Sequence, residues 1–304
     1  MNFVSSQFVV LMVVTWLLFM AIPARFRWLL LLAASYVFYA SWSIPFVAVI
    51  LITTTVDYLA SKIIYANASP SFRKLTLWTA ILINLAVLAY FKYSNFFLDI
   101  NASLMQLFGV SNALPAHVEL LLPLGISYYT FEAISYVVDV YRGQKPAANW
   151  LSYNFYIMYF PHLISGPIVR FNELWPQYMN GIQRPTLERL GKGLELIILG
   201  YFFKVIIADS CASLSDPVYS NPAAANVLST YVGVLAFTVQ LYFDFLGYTH
   251  IARGSSLLFN LKLPINFNHP LTSGRWVYCI GGFVRKFLSV LMFMRFHVSW
   301  RLDR

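Results

Sequence analysis

Long runs of apolar residues limit what this chain can fold into. Residues 3–22 are almost unbroken hydrophobe, close to the ~20 residues that a helix needs to cross a bilayer. Further apolar segments occupy residues 28–42, 46–64, 75–98, 120–141, 150–168, 194–208 and 228–245. Charged residues make up only 11% of the 304, whereas soluble domains carry about 25%. The sequence therefore predicts an all-α, polytopic transmembrane helical bundle of roughly eight to ten membrane helices.

Helix-breaking residues interrupt two of these segments. Pro123 lies within residues 120–141, and both Pro161 and Pro167 lie within residues 150–168. Irregular backbone at membrane depth is tolerated only where it is buried in protein or lines a cavity. We therefore expect broken or re-entrant helices at these two places.

Two further stretches are expected to lie outside the hydrocarbon. Residues 102–110 are short and amphipathic, a pattern typical of a helix that lies on the membrane surface. Residues 173–193 are the most polar region of the chain. Their composition favours an amphipathic loop on the cytoplasmic side.

The loops between apolar segments differ in basic residues, which sets the predicted orientation. The basic positions after the first and third segments are Arg25, Arg27, Lys62, Arg73 and Lys74. The turn at residues 43–45 has no Lys or Arg. Because basic loops stay in the cytoplasm, the N-terminus is predicted to lie outside. A cleavable signal peptide is disfavoured, since no basic residue precedes the first apolar run.

Composition also argues against two classes of ligand. The net charge is +9, but no Lys/Arg run with interleaved aromatic residues appears, so nucleic acid is not an expected partner. Cys211 and Cys279 are too few and too far apart for a metal cluster or a disulfide framework. No metal site is expected.

Polar groups recur in the apolar stretch of residues 238–270. They are Gln240, Asp244, Tyr248, His250 and Arg253. Ionisable groups at membrane depth usually face a protein interior or a watery cavity. Gln240, Asp244 and Tyr248 are spaced by four residues, which places them on one face of a helix. Asp244 could orient a histidine or bind a polar headgroup, or it could only satisfy hydrogen bonds within the bundle. Gly247 and Gly254 are expected to let a neighbouring helix approach closely.

Two other polar groups interrupt apolar sequence. His162 lies between two prolines, where it could either cap a broken helix or take part in chemistry. Asp57 follows the threonines at 53–55, a pattern that favours hydrogen bonding between helices. No nucleophile elbow, Walker loop or zinc-protease motif occurs. Spacing alone brings none of the five histidines together, so the residues themselves indicate a membrane protein with a polar interior.

Five motifs add a family resemblance. They are PLGISYYTF at 123–131, SYVVDVYR at 135–142, FPHLISGPIVR at 160–170, YFDFLGY at 242–248 and LPINFNHP at 263–270. In this order they resemble the membrane-bound O-acyltransferase family. Within it, the similarity is to the bacterial branch of alginate O-acetylation proteins and D-alanyl-lipoteichoic-acid transferases. The resemblance covers residues 2–270.

The resemblance implies a helical bundle with a funnel or tunnel, in which a histidine supports acyl transfer to a hydroxyl. The acceptor would be an exported polysaccharide such as alginate, and the acyl group would be acetyl. It further implies a location in the bacterial inner membrane, contact with membrane lipid, and periplasmic or extracellular O-acetylation proteins as partners. No bound cofactor is expected, because the acyl donor, such as acetyl-CoA or an acyl-carrier thioester, is a substrate. The candidate channel residues are His162, Gln240, Asp244, Tyr248 and His250. A transporter or carrier and a non-catalytic membrane scaffold are the alternatives.

The C-terminal end departs from the family pattern. The family continues with Phe-Trp-x-Arg-Trp-His-[Ile/Met]-Ser, whereas residues 274–293 do not fit it and RFHVS at 295–299 stands too late. We therefore divide the chain into residues 1–270, the family-like bundle, and 271–304, a divergent end. Either 271–304 results from an altered reading frame, which is favoured, or His297 is the displaced family histidine and a catalytic candidate. In both cases the terminal helices of the family are expected to be absent from this sequence, and an active enzyme and an inactive truncated form both stay open.

Overall fold

The computed structural model describes residues 3–107, 121–164, 166–167, 169–179 and 181–265. These residues form helices and turns, with no strand in the described ranges. The chain divides into two compact units, the first comprising Met1–Phe38 and Met158–Arg304, the second Tyr39–Ile157. The all-α prediction is confirmed.

Eleven α-helices follow one another in the described residues. They are α1 (Ser6–Ala21), α2 (Arg27–Ala40), α3 (Ile44–Ala66), α4 (Pro70–Leu107), α5 (Ile126–Tyr141), α6 (Trp150–Met158), α7 (Phe160–Leu163), α8 (Phe171–Tyr178), α9 (Leu187–Tyr201), α10 (Asp209–Ser220) and α11 (Val227–Leu258). A π-helical turn, Phe202–Ala208, joins α9 to α10.

Four helical stretches in the described residues are long and apolar enough to cross a membrane. They are Ile44–Ala66, Pro70–Met105, Leu187–Ser220 and Val227–Leu258. Ser6–Ala21 is also apolar but shorter. The chain is an integral membrane protein, and the prediction of a polytopic helical bundle is confirmed.

Two expectations about surface segments were wrong. Residues 102–107 do not form a separate surface helix, because α4 continues to Leu107 without an internal proline or glycine to end it. Residues 173–193 are not a loop, since α8 and the first turns of α9 lie there. The Thr186 side chain accepts a bond from the Arg189 amide and so starts α9 within the polar sequence. Residues 108–110 lie outside the described residues.

The predicted helix breaks are present. Gly125, with φ of +70°, is the N-cap of α5, so the helix begins only after Pro123. The segment at 150–168 is split at Tyr159 into α6 and the single turn α7. Pro161 stands in the first turn of α7, where its missing N–H costs nothing.

Polar bonds between helices hold the second unit together. The Asn84 amide on α4 donates to the Asp57 carboxylate on α3 at 2.6 Å. Thr54 donates to Asn154 on α6 at 3.3 Å. Asp57, Asn84, Thr54 and Asn154 are all buried. The expectation that Asp57 and its threonines bond between helices is confirmed.

Glycines let α9 and α11 pack closely in the first unit. A Cβ placed on Gly254 would lie 2.5 Å from the Gly193 carbonyl oxygen. One on Gly247 would lie 2.8 Å from the carbonyl oxygen of Gly200. The predicted close approach at Gly247 and Gly254 is confirmed, and its partner is α9.

Arg27 joins three segments at one end of the first unit. Its buried guanidinium donates to the carbonyls of Phe19 and Ile22 at 2.9 and 3.0 Å, and to that of Ile182 at 2.8 Å. These carbonyls include groups that the C-terminus of α1 leaves without a helical partner. The Arg27 guanidinium therefore satisfies carbonyls at the C-terminus of α1 and bonds that terminus to the segment before α9.

Arg27→Lys is expected to lower the free energy of unfolding by about 2 kcal/mol. A single ammonium cannot reproduce the fork, so at least one buried carbonyl loses a bond to a charged donor. Arg25→Lys, on an exposed side chain two residues earlier, should stay within about 0.5 kcal/mol of the parent. Denaturant titration of both purified variants in detergent measures the difference, and equal stabilities would refute the role given to Arg27.

Candidate functional site

The polar face predicted on α11 meets polar residues of the neighbouring helix. The Ser215 hydroxyl donates to the Gln240 side-chain oxygen at 2.6 Å. The Lys204 ammonium lies 2.8 Å from the Asp244 carboxylate and 5.7 Å from the centre of the Tyr248 ring. Gln240, Asp244 and Tyr248 thus face one neighbouring helical stretch, Leu187–Ser220, as their spacing predicts.

Lys204 is the residue that the sequence reasoning missed. It lies in the π-helical turn, and its ammonium also contacts the Asp209 carboxylate at 2.5 Å. The Asp209 amide bonds to the Lys204 carbonyl across this wide turn. A single lysine within the apolar run at 194–208 was the available signal. We name Lys204, Asp209, Asp244 and Tyr248 the Lys204 cluster.

The Lys204 cluster lies near the middle of two long apolar helices. At 1.5 Å per residue, Lys204 and Asp244 are each roughly 21–26 Å from the ends of Leu187–Ser220 and α11. The Lys204 side chain is 18% exposed, whereas those of Asp209 and Asp244 are 48% and 40% exposed. Charged groups at this depth face water or protein.

The chemistry of the cluster suits a hydroxyl-rich ligand. Its carboxylate oxygens accept hydrogen bonds, and the Tyr248 hydroxyl can donate and accept. The ammonium compensates the charge of only one of the two carboxylates. Departures from α-helical geometry such as this π turn are frequent at functional sites.

The structure separates His250 from the cluster. Its Nδ1 donates to the Leu246 carbonyl at 2.8 Å, one turn earlier on α11. Its ring lies edge-on to Phe203, with centroids 5.5 Å apart. His250 is therefore held on its own helix, six residues after Asp244 and on a different face.

His162 lies in a short helix that packs near the C-terminal end of α11. It is buried in α7, which packs against α11, and its ring centre is 5.7 Å from that of Tyr159. Phe160, in the same short helix, has its ring centre 6.2 Å from that of Phe259 at the end of α11, about 16 Å along the helix axis from Tyr248. The burial agrees with a cap for the broken helix, and a chemical role for His162 stays a prediction.

The remaining predicted groups cannot be placed. His297, the catalytic candidate, and His269 lie outside the described residues. In the described ranges, no group of three His, Cys, Asp or Glu side chains is arranged to hold a metal ion. The role of His297 stays a prediction.

Known proteins resemble this chain over most of its length. No model of a known protein family matches it. It is 37% identical over 302 residues to a probable alginate O-acetylase AlgI of Azotobacter vinelandii, covering 95% of this chain and 59% of the relative. It is 29% identical over 299 residues to a peptidoglycan O-acetyltransferase of Helicobacter pylori, covering 86% and 55%. A teichoic acid D-alanyltransferase of Bacillus subtilis is 29% identical over 251 residues, covering 74% and 61%.

These relatives agree with the resemblance drawn from the motifs. Their names describe acyl transfer, to alginate, to peptidoglycan and to teichoic acid. The chain spans between about half and two-thirds of the length of each of these three relatives. Ordered motifs, apolar helices and the identity over most of the chain lead to the same assignment. The chain belongs to the membrane-bound O-acyltransferase family, in the bacterial branch of alginate O-acetylases and teichoic acid D-alanyltransferases.

Proposed function

We propose that this chain is an O-acyltransferase that transfers an acetyl group to hydroxyls of an exported polysaccharide such as alginate. The observation that carries the proposal is the 37% identity to the A. vinelandii alginate O-acetylase over 95% of this chain. Three further probable alginate O-acetylases, from Pseudomonas species, are also 37% identical. These similarities favour a transferase over a transporter or a scaffold.

The reaction needs a hydroxyl acceptor and an activated acyl donor. We take the donor to be a thioester, such as acetyl-CoA or an acyl-carrier thioester. The acceptor oxygen bonds to the acyl carbon, the donor C–S bond breaks, and the hydroxyl proton passes to the leaving thiolate. A histidine can carry that proton. The candidates are His162 and His297, whereas His250 already uses one ring nitrogen on its own helix.

Residues 271–304 bear on the choice between these histidines. The match to the A. vinelandii relative covers 95% of the chain. A match confined to residues 1–270 would cover less, so it includes part of 271–304. Since 95% of 304 residues is about 289, this match does not by itself extend to His297, and three Pseudomonas relatives are matched over only 88% of the chain. The role of His297 therefore rests on the family resemblance alone.

The Lys204 cluster is proposed to bind the polar acceptor within the membrane. Its carboxylates and the Tyr248 hydroxyl can bond to sugar hydroxyls, and the depth of the cluster suits a path that brings acceptor and donor together. The distribution of basic residues supports an N-terminus outside and an inner-membrane location. Periplasmic or extracellular O-acetylation proteins are the proposed partners.

Tyr248→Phe is expected to lower the acetyl ester content of the exported polymer about tenfold. The substitution keeps the ring beside Lys204 and removes only the hydroxyl, whose bond to the acceptor is worth about 1.4 kcal/mol. The matched control is Tyr231→Phe, on the same helix and 69% exposed, which should leave ester content unchanged. The acetyl ester content is compared for the parent chain and both variants, each expressed in a strain from which the gene for this chain and any related copies have been deleted.

Two results would contradict the proposal at different levels. Equal ester content with and without the chain would remove the acyltransferase function. Full activity of Tyr248→Phe would leave the function in place and exclude the Tyr248 hydroxyl from acceptor binding. Protein in the membrane fraction is quantified for each variant, so that lost expression is not read as lost activity.

A further inference from the structure

One end of the first unit gathers exposed basic side chains from separate segments. They are Arg25, Arg184, Arg189, Lys192 and Lys262, which we name the basic rim. Residues 205–252, which include the opposite end, contain no Lys or Arg at all. The charge of this unit is therefore strongly asymmetric along the helices.

Hydrogen bonds hold the segments that carry the basic rim. The Arg184 guanidinium donates to the Met20 carbonyl at 2.8 Å, which ties the chain before α9 to the end of α1. The Arg189 side chain donates to Asn260, just after α11. The Lys262 amide donates to the Gln177 side-chain oxygen at 2.7 Å, while the Gln177 amide donates to the Lys262 carbonyl at 3.0 Å. The rim cations are thus anchored on four helix ends rather than on independent loops.

Acidic groups compensate only part of this charge. Lys192 forms an exposed ion pair with Glu188. Glu195, three residues after Lys192 on α9, and Glu173 on α8 are further exposed carboxylates, so five rim cations stand against three carboxylates. The basic rim therefore keeps a positive surplus, which suits an anionic ligand.

Large apolar side chains are also exposed on α1 and α9, the helices whose ends lie at the basic rim. Leu187 is 87% exposed, Leu194 is 53% exposed and Ile198 is 67% exposed, all on the helix that carries Lys192. On α1, Leu17 is 58% exposed, one turn before the carbonyl to which Arg184 bonds. A ligand for this surface has an anionic part for the rim and an apolar part for the helix sides.

We propose that the basic rim binds the phosphate of anionic phospholipids, with the acyl chains against the exposed apolar sides of α1 and α9. A free phosphate would use only the cations and leave Leu187 and Ile198 uncovered. Juxtamembrane basic side chains attract anionic headgroups, and the helix ends place the rim at the level of headgroups. The site is independent of whether the chain transfers an acyl group.

The test measures lipid binding by the full chain in neutral detergent. A fluorescent short-chain phosphatidylglycerol is titrated onto the parent and onto Arg25→Gln/Lys262→Gln. The matched control is Lys74→Gln/Lys145→Gln, which removes two exposed basic side chains from the second unit. We expect saturable binding that weakens about tenfold or more in the rim variant. In the control it should change by less than about twofold.

Further measurements distinguish a lipid phosphate from free phosphate and check that each variant is folded. Phosphatidylcholine of the same chain length should bind more weakly, and inorganic phosphate at the lipid concentration should not compete. Arg184→Gln/Arg189→Gln provides a second rim variant, and thermal unfolding reports whether each variant is folded. Equal weakening in the rim and control variants, absence of saturable binding, or effective competition by inorganic phosphate would each overturn the proposal.

Discussion

Gly254→Ala is expected to lower the free energy of unfolding by about 2 kcal/mol. The new Cβ would lie 2.5 Å from the Gly193 carbonyl oxygen and 2.9 Å from the Ile197 backbone nitrogen. Backbone atoms cannot rotate away, so α9 and α11 have to separate, and overpacking of this kind costs about 3 kcal/mol. The better helix propensity of alanine offsets about 1 kcal/mol of that cost.

Gly191→Ala provides the matched control on α9. No atom lies within 4 Å of a Cβ at Gly191, so only the helix propensity changes and stability should rise by up to about 1 kcal/mol. The same chemical substitution is thus expected to act with opposite sign at the two positions. Denaturant titration in detergent measures both, and a stabilised Gly254→Ala would contradict the close helix contact.

Lys204→Met is expected to lower the free energy of unfolding by about 3 kcal/mol. It removes the counter-charge of Asp209 and Asp244 together and leaves two like charges at membrane depth. The partial exposure of both carboxylates keeps the loss at the lower end of the range for buried pairs. Lys192→Met removes an exposed ion pair with Glu188 and should change stability too little to measure.

A double-mutant cycle tests the same pairing. Lys204→Met/Asp244→Asn should be more stable than the sum of the two single losses predicts, by at least about 1 kcal/mol, because one unpaired carboxylate is also removed. Additive losses would mean that Lys204 and Asp244 do not interact in the folded protein. The measurement is the same denaturant titration.

Much of the fold follows from local sequence. Apolar runs of sufficient length predict helices, and the breaks before α5 and α7 follow from Gly125 and Pro161, because both effects depend on neighbouring residues. The shared face of Gln240, Asp244 and Tyr248 is likewise a consequence of helix period. The loop predicted from local polarity at residues 173–193 was wrong, because the Thr186 cap starts a helix within polar sequence.

The candidate site could be predicted only in part. The sequence indicated that Asp244 needs a polar partner and offered histidine as a candidate, whereas in the structure the partner is Lys204. The two residues are far apart in sequence, and no local pattern specifies such a pair. Lys204 was visible only as a charge within an apolar run.

The sequence by itself determined that this chain forms apolar helices in a membrane, which faces of them are polar, and to which family its motifs belong. Only the tertiary structure decided that α11 presents its polar face to Lys204 and that the short helix α7, which carries His162, packs near the C-terminal end of α11 instead. The physical reason is that helix period acts within a few residues, whereas the contact between α9 and α11 depends on the glycine pairs that let two backbones meet.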